Sequence, residues 1–409
     1  MPHAAAFLPQ PAALSRPMPV YLDNHATTRV DPRVVAEMLP FFDEQFGNAA
    51  SINHRYGWEA AEAVETARQQ IARFLNASPD AIVFTSGGTE SNNLAIKGVM
   101  RAAPPGGHLI VSAAEHRSVL DPAKRLARQG YELTIVPVDQ TGRVEPQAVA
   151  DALQPQTVLA SVMLANNEVG TINPVREIAE ICRGRNVLLH CDAVQAVGRI
   201  PVDLQALSAD LVSFSAHKLY GPKGIGALYV RPGEPRIRME PLFDGGGHER
   251  RMRSGTLPVP LIAGFGTACR LAADGLPQEA VRLKALRDRL WEGLSQRLEG
   301  LFVNGHPVER LPGNLNVSFD GVDGQVLMTS LTEIAVSSGS ACTSADPEPS
   351  HVLRAMGVSE ARSKASLRFG LGRFTTGEEI DFAIDYVATT ITRLRSARAQ
   401  STPPLGKRG

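Results

Sequence analysis

Ser213-Phe214-Ser215-Ala216-His217-Lys218-Leu219-Tyr220-Gly221-Pro222-Lys223-Gly224-Ile225-Gly226 is the stretch on which the fold turns. Asp210 to Phe214 is a short apolar run followed by turn signals, and Ile225 to Val230 is a second apolar run. The spacing predicts two strands with Lys218 on the loop between them. Loops of this kind carry function. A lysine held among Ser, His and Gly suits Schiff-base chemistry, because partial desolvation lowers an ammonium pKa and frees a nucleophilic amine. The competing expectation is a solvated surface lysine. Gly221 to Gly226 has the spacing of neither a Walker A loop nor the GxGxxG dinucleotide fingerprint.

Outward from this stretch, apolar runs alternate with helical patterns: His108 to Ser112, Asp121 to Gln129, Glu132 to Pro137, Pro146 to Leu153, Thr157 to Leu164, Pro174 to Arg183 and Val187 to Cys191. This alternation predicts an α/β fold with a mostly parallel sheet and crossover helices, whose ligands gather at the carboxyl ends of the strands. The polar clusters fall there: Ser86-Gly87-Gly88-Thr89, Glu115-His116, Asn166-Asn167-Glu168, Asp192 with Gln195, and Ser215-His217-Lys218. Ala81 to Thr85 runs as a buried strand through Gly87-Gly88 into a helix from Glu90 to Met100. In outline this is a phosphate site, with free backbone N–H groups, the positive dipole end and the Thr89 hydroxyl facing an anion.

Nearer the start, Val20 to Thr28 is a brief strand ending in polar turn residues, Asp31-Pro32 opens a helix, and Trp58 to Leu75 continues as another. After about Gly275 the character changes. Leu283, Leu286, Leu290, Leu294 and Leu298 mark one long amphipathic helix, and short strands (Leu315 to Phe319, Ile334 to Ser337, Ser366 to Phe369) then alternate with helices as in a second, smaller α/β domain. The expected division is a flexible tail at 1–19, a large domain at 20–275 whose first strand and helix pack with the small one, a small domain at 276–400, and a frayed tail at 401–409. A transit peptide is the weaker reading of the Ala- and Pro-rich start, which holds only Arg16 as a charge.

The 409 residues, 43% hydrophobic and 21% charged, allow two domains, and a formal net charge of +0 gives no electrostatic case for nucleic acid or an anionic membrane. No apolar run is long enough to span a bilayer. Cys182, Cys191, Cys269 and Cys342 lie far apart and form no CxxC pair, which excludes a zinc ribbon or disulfide scaffold and fits a reducing cytoplasm.

Asp192 ends the strand Val187-Leu-Leu-His-Cys-Asp, where a carboxylate is costly unless it meets a cation. A protonated pyridine nitrogen is such a cation. A strand-end Asp with a Lys some tens of residues later is the pair that pyridoxal phosphate enzymes use, the Lys for the imine and the Asp to keep the ring an electron sink. His190-Cys191-Asp192 as metal ligands is disfavoured, since alternate strand residues face opposite sides and no second ligand pair lies nearby. Cys342 sits in Val336 to Ser350, a run of small polar residues with Gly and Pro. A buried structural thiol is expected for Cys182 and Cys269, a reactive one for Cys342.

Taken together, LDNHATT (Leu22 to Thr28), TSGGTESNN (Thr85 to Asn93), EH (Glu115-His116), NNEVG (Asn166 to Gly170), HCDAVQ (His190 to Gln195), SFSAHKLYGPKGIGALYV (Ser213 to Val230), MRSGT (Met252 to Thr256), SSGSACTS (Ser337 to Ser344) and RFGLGR (Arg368 to Arg373) resemble the cysteine desulfurases of the NifS/IscS type, from Tyr21 to about Arg393. The resemblance implies a fold-type I pyridoxal phosphate enzyme of the class-V aminotransferase group, with a mostly parallel seven-stranded sheet. It implies that Lys218 anchors the cofactor, Asp192 meets its pyridine nitrogen, Gln195 its ring hydroxyl, and His116 stacks on the ring and passes protons. Gly88, Thr89, Ser215 and His217 would hold the phosphate, joined by Thr256 from the second subunit of a homodimer. Asn167 and Arg368 would hold the substrate. Cys342 would take sulfur from L-cysteine as a persulfide, leaving alanine, for an acceptor such as an iron–sulfur scaffold; the same thiol is the expected ligand of a transient iron–sulfur cluster, and no other metal is expected.

The long SSGSACTSADPEPS run resembles the subtype whose cysteine travels to an acceptor, whereas Ser401 to Gly409 does not resemble the scaffold-docking tail of housekeeping members. His25 has no role in this reading. The alternative of the same fold, a selenocysteine lyase or small-molecule aminotransferase, needs Lys218 but not Cys342. A third reading, a catalytically silent sulfur-carrier or assembly subunit, has the intact Lys218, Asp192 and Cys342 against it.

Overall fold

Ile82-Val83-Phe84-Thr85 buries every side chain, as a strand must when both faces of its sheet are covered. The computed structural model describes residues 18–338 and 349–401. Its strands in chain order are β1 (Val20–Tyr21), β2 (Ile82–Thr85), β3 (His108–Ser112), β4 (Glu132–Val136), β5 (Thr157–Ser161), β6 (Leu188–Asp192), β7 (Leu211–Ser215), β8 (Gly226–Val230), β9 (Leu301–Asn304), β10 (Asn314–Phe319), β11 (Ile334–Ala335) and β12 (Ser366–Gly370). Seven of them form one sheet in the order β2-β8-β7-β6-β5-β3-β4. Every pair is parallel except those of β8, which runs antiparallel to both β2 and β7. The mostly parallel seven-stranded sheet expected from the resemblance is therefore present. The β7–β8 hairpin is what brings the Lys218 turn back to the sheet edge, with Ser215 opposite Gly226.

Helices cover the sheet. Arg55–Phe74 packs along the first half of the long helix Val259–Ser295, and Phe214 meets Phe265 with ring centroids 5.8 Å apart. Each such fully buried aromatic ring contributes about 1.5–3 kcal/mol through the apolar area it removes from water. The helix expected from Asp121 starts four residues earlier, at Arg117–Ala127, because the side chain of His116 caps it by accepting from the Ser118 N–H.

A second core forms around Leu22, Leu290, Leu294, Val317, Phe369 and Ile384. Its sheet has the order β12-β10-β9, all antiparallel, and β1 pairs in parallel with β11. Gly370 N donates to Leu22 O and Asn24 N to Gly370 O. The chain's start is thereby held to its end, and the segment after β1 lies between the two sheets. The division expected near residue 275 falls inside the helix Val259–Ser295, which serves both cores.

Candidate active site

Lys218 closes a short 3-10 turn, Ala216–Lys218, directly after β7. It is buried, so the solvated-lysine expectation does not hold. Its Nζ donates to His25 O and to Ala26 O, the latter at 2.7 Å. Burial, then the guanidinium groups of Arg199 and Arg368, push its ammonium down to about 7 against the opposite pull of Asp23 and Asp192. The Leu22 to Thr28 motif is clasped to this turn: Thr28 N and Oγ1 donate to His217 O, and Tyr220 N donates to Thr28 Oγ1.

Asp192 ends β6, 4% exposed. Its Oδ2 accepts from Asn92 Nδ2 at 2.7 Å and its Oδ1 from Val194 N at 2.9 Å, and no cation among the described residues pairs with it. A carboxylate so placed is stabilised by dipoles alone, which leaves it open to a positive group entering the cavity. His116 faces the same space. Its Nδ1 lies 2.7 Å from Ser118 Oγ, and its pKa is lowered, by burial first, against the pull of Asp192.

At the opposite end, β2 runs through Ser86-Gly87 into the helix Gly88–Ala102. Gly87 has φ 149° and ψ −179°, a region open essentially to glycine alone. A Cβ on Gly88 would stand 2.6 Å from Val194 Cγ2. The first-turn N–H groups of this helix have no intrahelical acceptors and meet the cavity with the positive end of the dipole. His217 stands beside them, its Nδ1 3.1 Å from Thr27 Oγ1. Its pKa is driven down to about 4 by burial, then by Lys218, Lys223 and Arg199, so the ring is neutral.

Arg368 comes from β12 in the second sheet. It donates to Asn167 O at 2.9 Å and to Asp23 Oδ1 at 2.8 Å, while its buried Nε has no partner among the described residues. Nearby, the Glu168 carboxyl, buried and accepting from Ser350 Oγ, is raised to about 7, and that of Glu115 to about 8. Both shifts are desolvation effects, opposed by the hydroxyl donors of Ser350 and Ser112.

Lys218, Asp192, Gln195, His116, Gly88, Thr89, His217, Asn167 and Arg368, read from separate motifs, thus line one cavity of about 350 Å³. Ser215 does not; its Oγ donates to Ile225 O at 3.4 Å. The Thr256 side chain is exposed and lies outside this cavity. Cys342 and the tails at 1–17 and 402–409 fall outside the described residues. The other three cysteines are free and buried, with the Cys182 thiol pushed up to about 12 by burial and Cys191 and Cys269 also pushed upward. Both ring nitrogens of His190 pair with serine hydroxyls, of Ser161 and Ser213, which leaves neither free for a metal.

His25, Asn92, Ser118 and Met163 were not assigned from the sequence, yet they line the cavity too. His25 grips Gln195 from both sides: its carbonyl accepts from Gln195 Nε2 at 2.9 Å, and its Nδ1 lies 3.1 Å from Oε1. Three of the four lay inside or beside quoted motifs, which was the available signal. Their partners are set by the tertiary fold.

The arrangement fits pyridoxal phosphate. A helix N-terminus with a glycine that tolerates no Cβ suits its phosphate. The unpaired Asp192 suits a protonated ring nitrogen, and a lysine with an amine near 7 suits its aldehyde.

The aminotransferase class-V family model matches residues 20–382. A cysteine desulfurase IscS from Anaeromyxobacter dehalogenans (strain 2CP-C) is 54% identical over 379 residues, covering 92% of this chain and 94% of that relative. Among solved structures, a NifS-like protein superposes with a TM-score of 0.85 at 39% identity, covering 92% of this chain and 100% of that one. SspA, solved in complex with cysteine, gives 0.78 at 36% identity over 87% and 100%. With the family model spanning most of its length and that degree of identity, the chain belongs to the class-V aminotransferases and, within them, to the cysteine desulfurases.

Proposed function

We infer that the protein converts L-cysteine to L-alanine and passes the sulfur to an acceptor through a persulfide on Cys342. The observation that carries the reading is the pairing, in one cavity, of a buried carboxylate lacking a cation with a buried lysine whose ammonium is pushed down to about 7. Pyridoxal phosphate, when bound, supplies the electron sink that loosens bonds at the substrate's α-carbon.

The remaining work belongs to the chain. Lys218 offers a lone pair at neutral pH because burial and two arginines disfavour its charge. Asp192 favours a protonated partner, His116 carries a proton to and from the reacting atoms, and Gln195 presents an amide fixed by His25. Gly88, Thr89 and His217 serve the phosphate, with Ser215 holding the turn beside them. Arg368, with Asn167 behind it, has donors left for the substrate carboxylate, which it would grip as a fork. Cys342 is the nucleophile, and the burial of Cys182, Cys191 and Cys269 supports that choice. The test is to incubate purified protein with L-cysteine and follow alanine and persulfide sulfur together. Equal amounts support the reading, and cysteine loss without alanine contradicts it.

Asp192→Asn should keep the fold and slow turnover by roughly a hundredfold, since removing one member of a buried charge pair costs about 3 kcal/mol or more. Rates of alanine formation at saturating cysteine check this. A variant at the parent rate means that another acid meets the ring nitrogen.

We also propose a homodimer. Leu39, Phe42, Phe46, Ile52 and Trp58 are exposed along one segment, with Phe46 and Tyr56 ring centroids 5.2 Å apart, and such an apolar face fits a second copy. Thr256, outside its own cavity, would reach the phosphate end of the other copy's site. Sedimentation should give about twice the 43.8 kDa of one chain. Thr256→Ala should lower cofactor affinity about tenfold, as the loss of one hydrogen bond to a charged group does. A monomer, or unchanged affinity, removes the shared site. No helix among the described residues is long and apolar enough to cross a membrane, and three free thiols fit the proposed reducing cytoplasm.

A further inference from the structure

His116 caps the helix Arg117–Ala127, and its Nδ1 accepts from the Ser118 backbone N–H at 3.1 Å. Ser118 Oγ stands 2.7 Å from the same nitrogen. A backbone N–H can only donate, so Nδ1 carries no proton and the hydroxyl must donate to it as well. The ring's one proton is then on Nε2. The hydroxyl in turn accepts from Asn92 Nδ2 at 2.8 Å, and that amide also donates to Asp192 Oδ2 at 2.7 Å. The Asn92 amide has one tolerable orientation: reversed, its oxygen would face the Asp192 carboxylate. Asn92 and Ser118 are buried, so these bonds compete little with water.

We propose that Ser118, with Asn92 behind it, is a positioning residue that holds His116 in the Nε2–H tautomer and ties the ring to the Asp192 carboxylate. The proposal rests on the reading of His116 as the proton-carrying ring of the site. It follows from the geometry that a proton arriving at Nδ1 would face the Ser118 N–H head-on and force the hydroxyl to turn away. It would also place a positive charge at the positive end of a helix.

The charged groups around the ring divide. Asp192 from the end of β6 and Asp121 on the ring's own helix favour the imidazolium. Lys218 after β7, Arg117 on the ring's own helix and His351 on the helix His351–Ala355 oppose it, as does burial. The two bonds from Ser118 favour the neutral form, so removing the hydroxyl donor should raise the His116 pKa. The ring that Ser118 holds in place is the neutral one, because an imidazolium has no acceptor left for either bond, so the acid limb of the rate profile should move to higher pH.

The test compares Ser118→Ala, Ser118→Thr and His116→Gln as cofactor-loaded proteins. For each, kcat and KM for L-cysteine are measured across pH. The ring nitrogens of His116 are read by NMR after ¹⁵N-histidine labelling, with His116→Gln assigning the signal. In the parent, Nδ1 should read as unprotonated and Nε2 as protonated. Ser118→Ala keeps the backbone donor and loses the hydroxyl, so it should raise the His116 pKa read from the nitrogen signals, shift the acid limb upward and lower kcat about tenfold with KM unchanged, the scale of one hydrogen bond. Ser118→Thr, which keeps a hydroxyl, should restore all three. A Ser118→Ala protein with the parent pH profile and parent nitrogen signals, beside an inactive His116→Gln, overturns the inference alone. An active His116→Gln overturns the reading beneath it and the inference with it.

Discussion

Lys218→Ala should be folded and inactive. The side chain ends on two carbonyls, of His25 and Ala26, in a cavity wide enough for water to take over both hydrogen bonds, so its loss leaves no buried group stranded. What disappears is the nucleophilic amine, and losses of that kind lower rates by about a thousandfold or more. Borohydride reduction of the loaded parent should fix the cofactor on the peptide containing Lys218, and in the variant it should fix none. A labelled peptide elsewhere, or alanine formation at the parent rate, contradicts the assignment.

The same amine carries a pH dependence. Its pKa is lowered to about 7, so the fraction holding a lone pair grows as pH rises through that value. Covalent loading of apoprotein with pyridoxal phosphate should accelerate between pH 6 and 8. For a lysine near its ordinary value the same increase would extend to far higher pH.

Cys342→Ser should bind L-cysteine and form no alanine. Arg368 and Asn167, proposed to hold the substrate, and Lys218, proposed to anchor the cofactor, are untouched, so affinity should stay near that of the parent. A hydroxyl at neutral pH is neither ionised nor soft enough to attack a substrate sulfur, and turnover should fall by about a thousandfold or more. No described thiol can substitute: burial pushes Cys182 up to about 12 and raises Cys191 and Cys269, so none is a thiolate at neutral pH. Full alanine production by this variant would favour a lyase-like reaction that needs the lysine and not this thiol.

Much of the sheet and one end of the site were legible in the sequence, because short apolar runs with Gly or polar residues at their ends report strands and their carboxyl termini directly. Asp192 and Lys218 could be read that way, as could the Gly87-Gly88 entry to a helix. Other elements left a weaker trace. The first half of Val259–Ser295 buries Ile262, Phe265, Ala268 and Cys269 on all sides, so it shows no polar face to mark it as a helix. The leucine repeat became visible only where one face meets water. Asp121-Pro122 reads as a helix start, yet the cap belongs to His116, a residue type that gives little warning of capping.

Nor could residue chemistry alone bring Arg368 to the cavity. It arrives from the second sheet because Asn24 and Leu22 bond to Gly370, a contact across roughly the whole chain that only the resemblance anticipated. His25, Asn92 and Ser118 act through partners chosen by the tertiary fold, Gln195, Asp192 and His116, and short polar side chains do not announce such partners in advance.

The central claim, that sulfur leaves cysteine for a thiol of this chain, is tested most directly by mass spectrometry. Loaded protein is exposed briefly to L-cysteine, alkylated and digested. One added sulfur should appear on the peptide containing Cys342, in an amount equal to the alanine formed before any acceptor is present. Alanine without that persulfide, or added sulfur confined to the peptides of Cys182, Cys191 or Cys269, would contradict it.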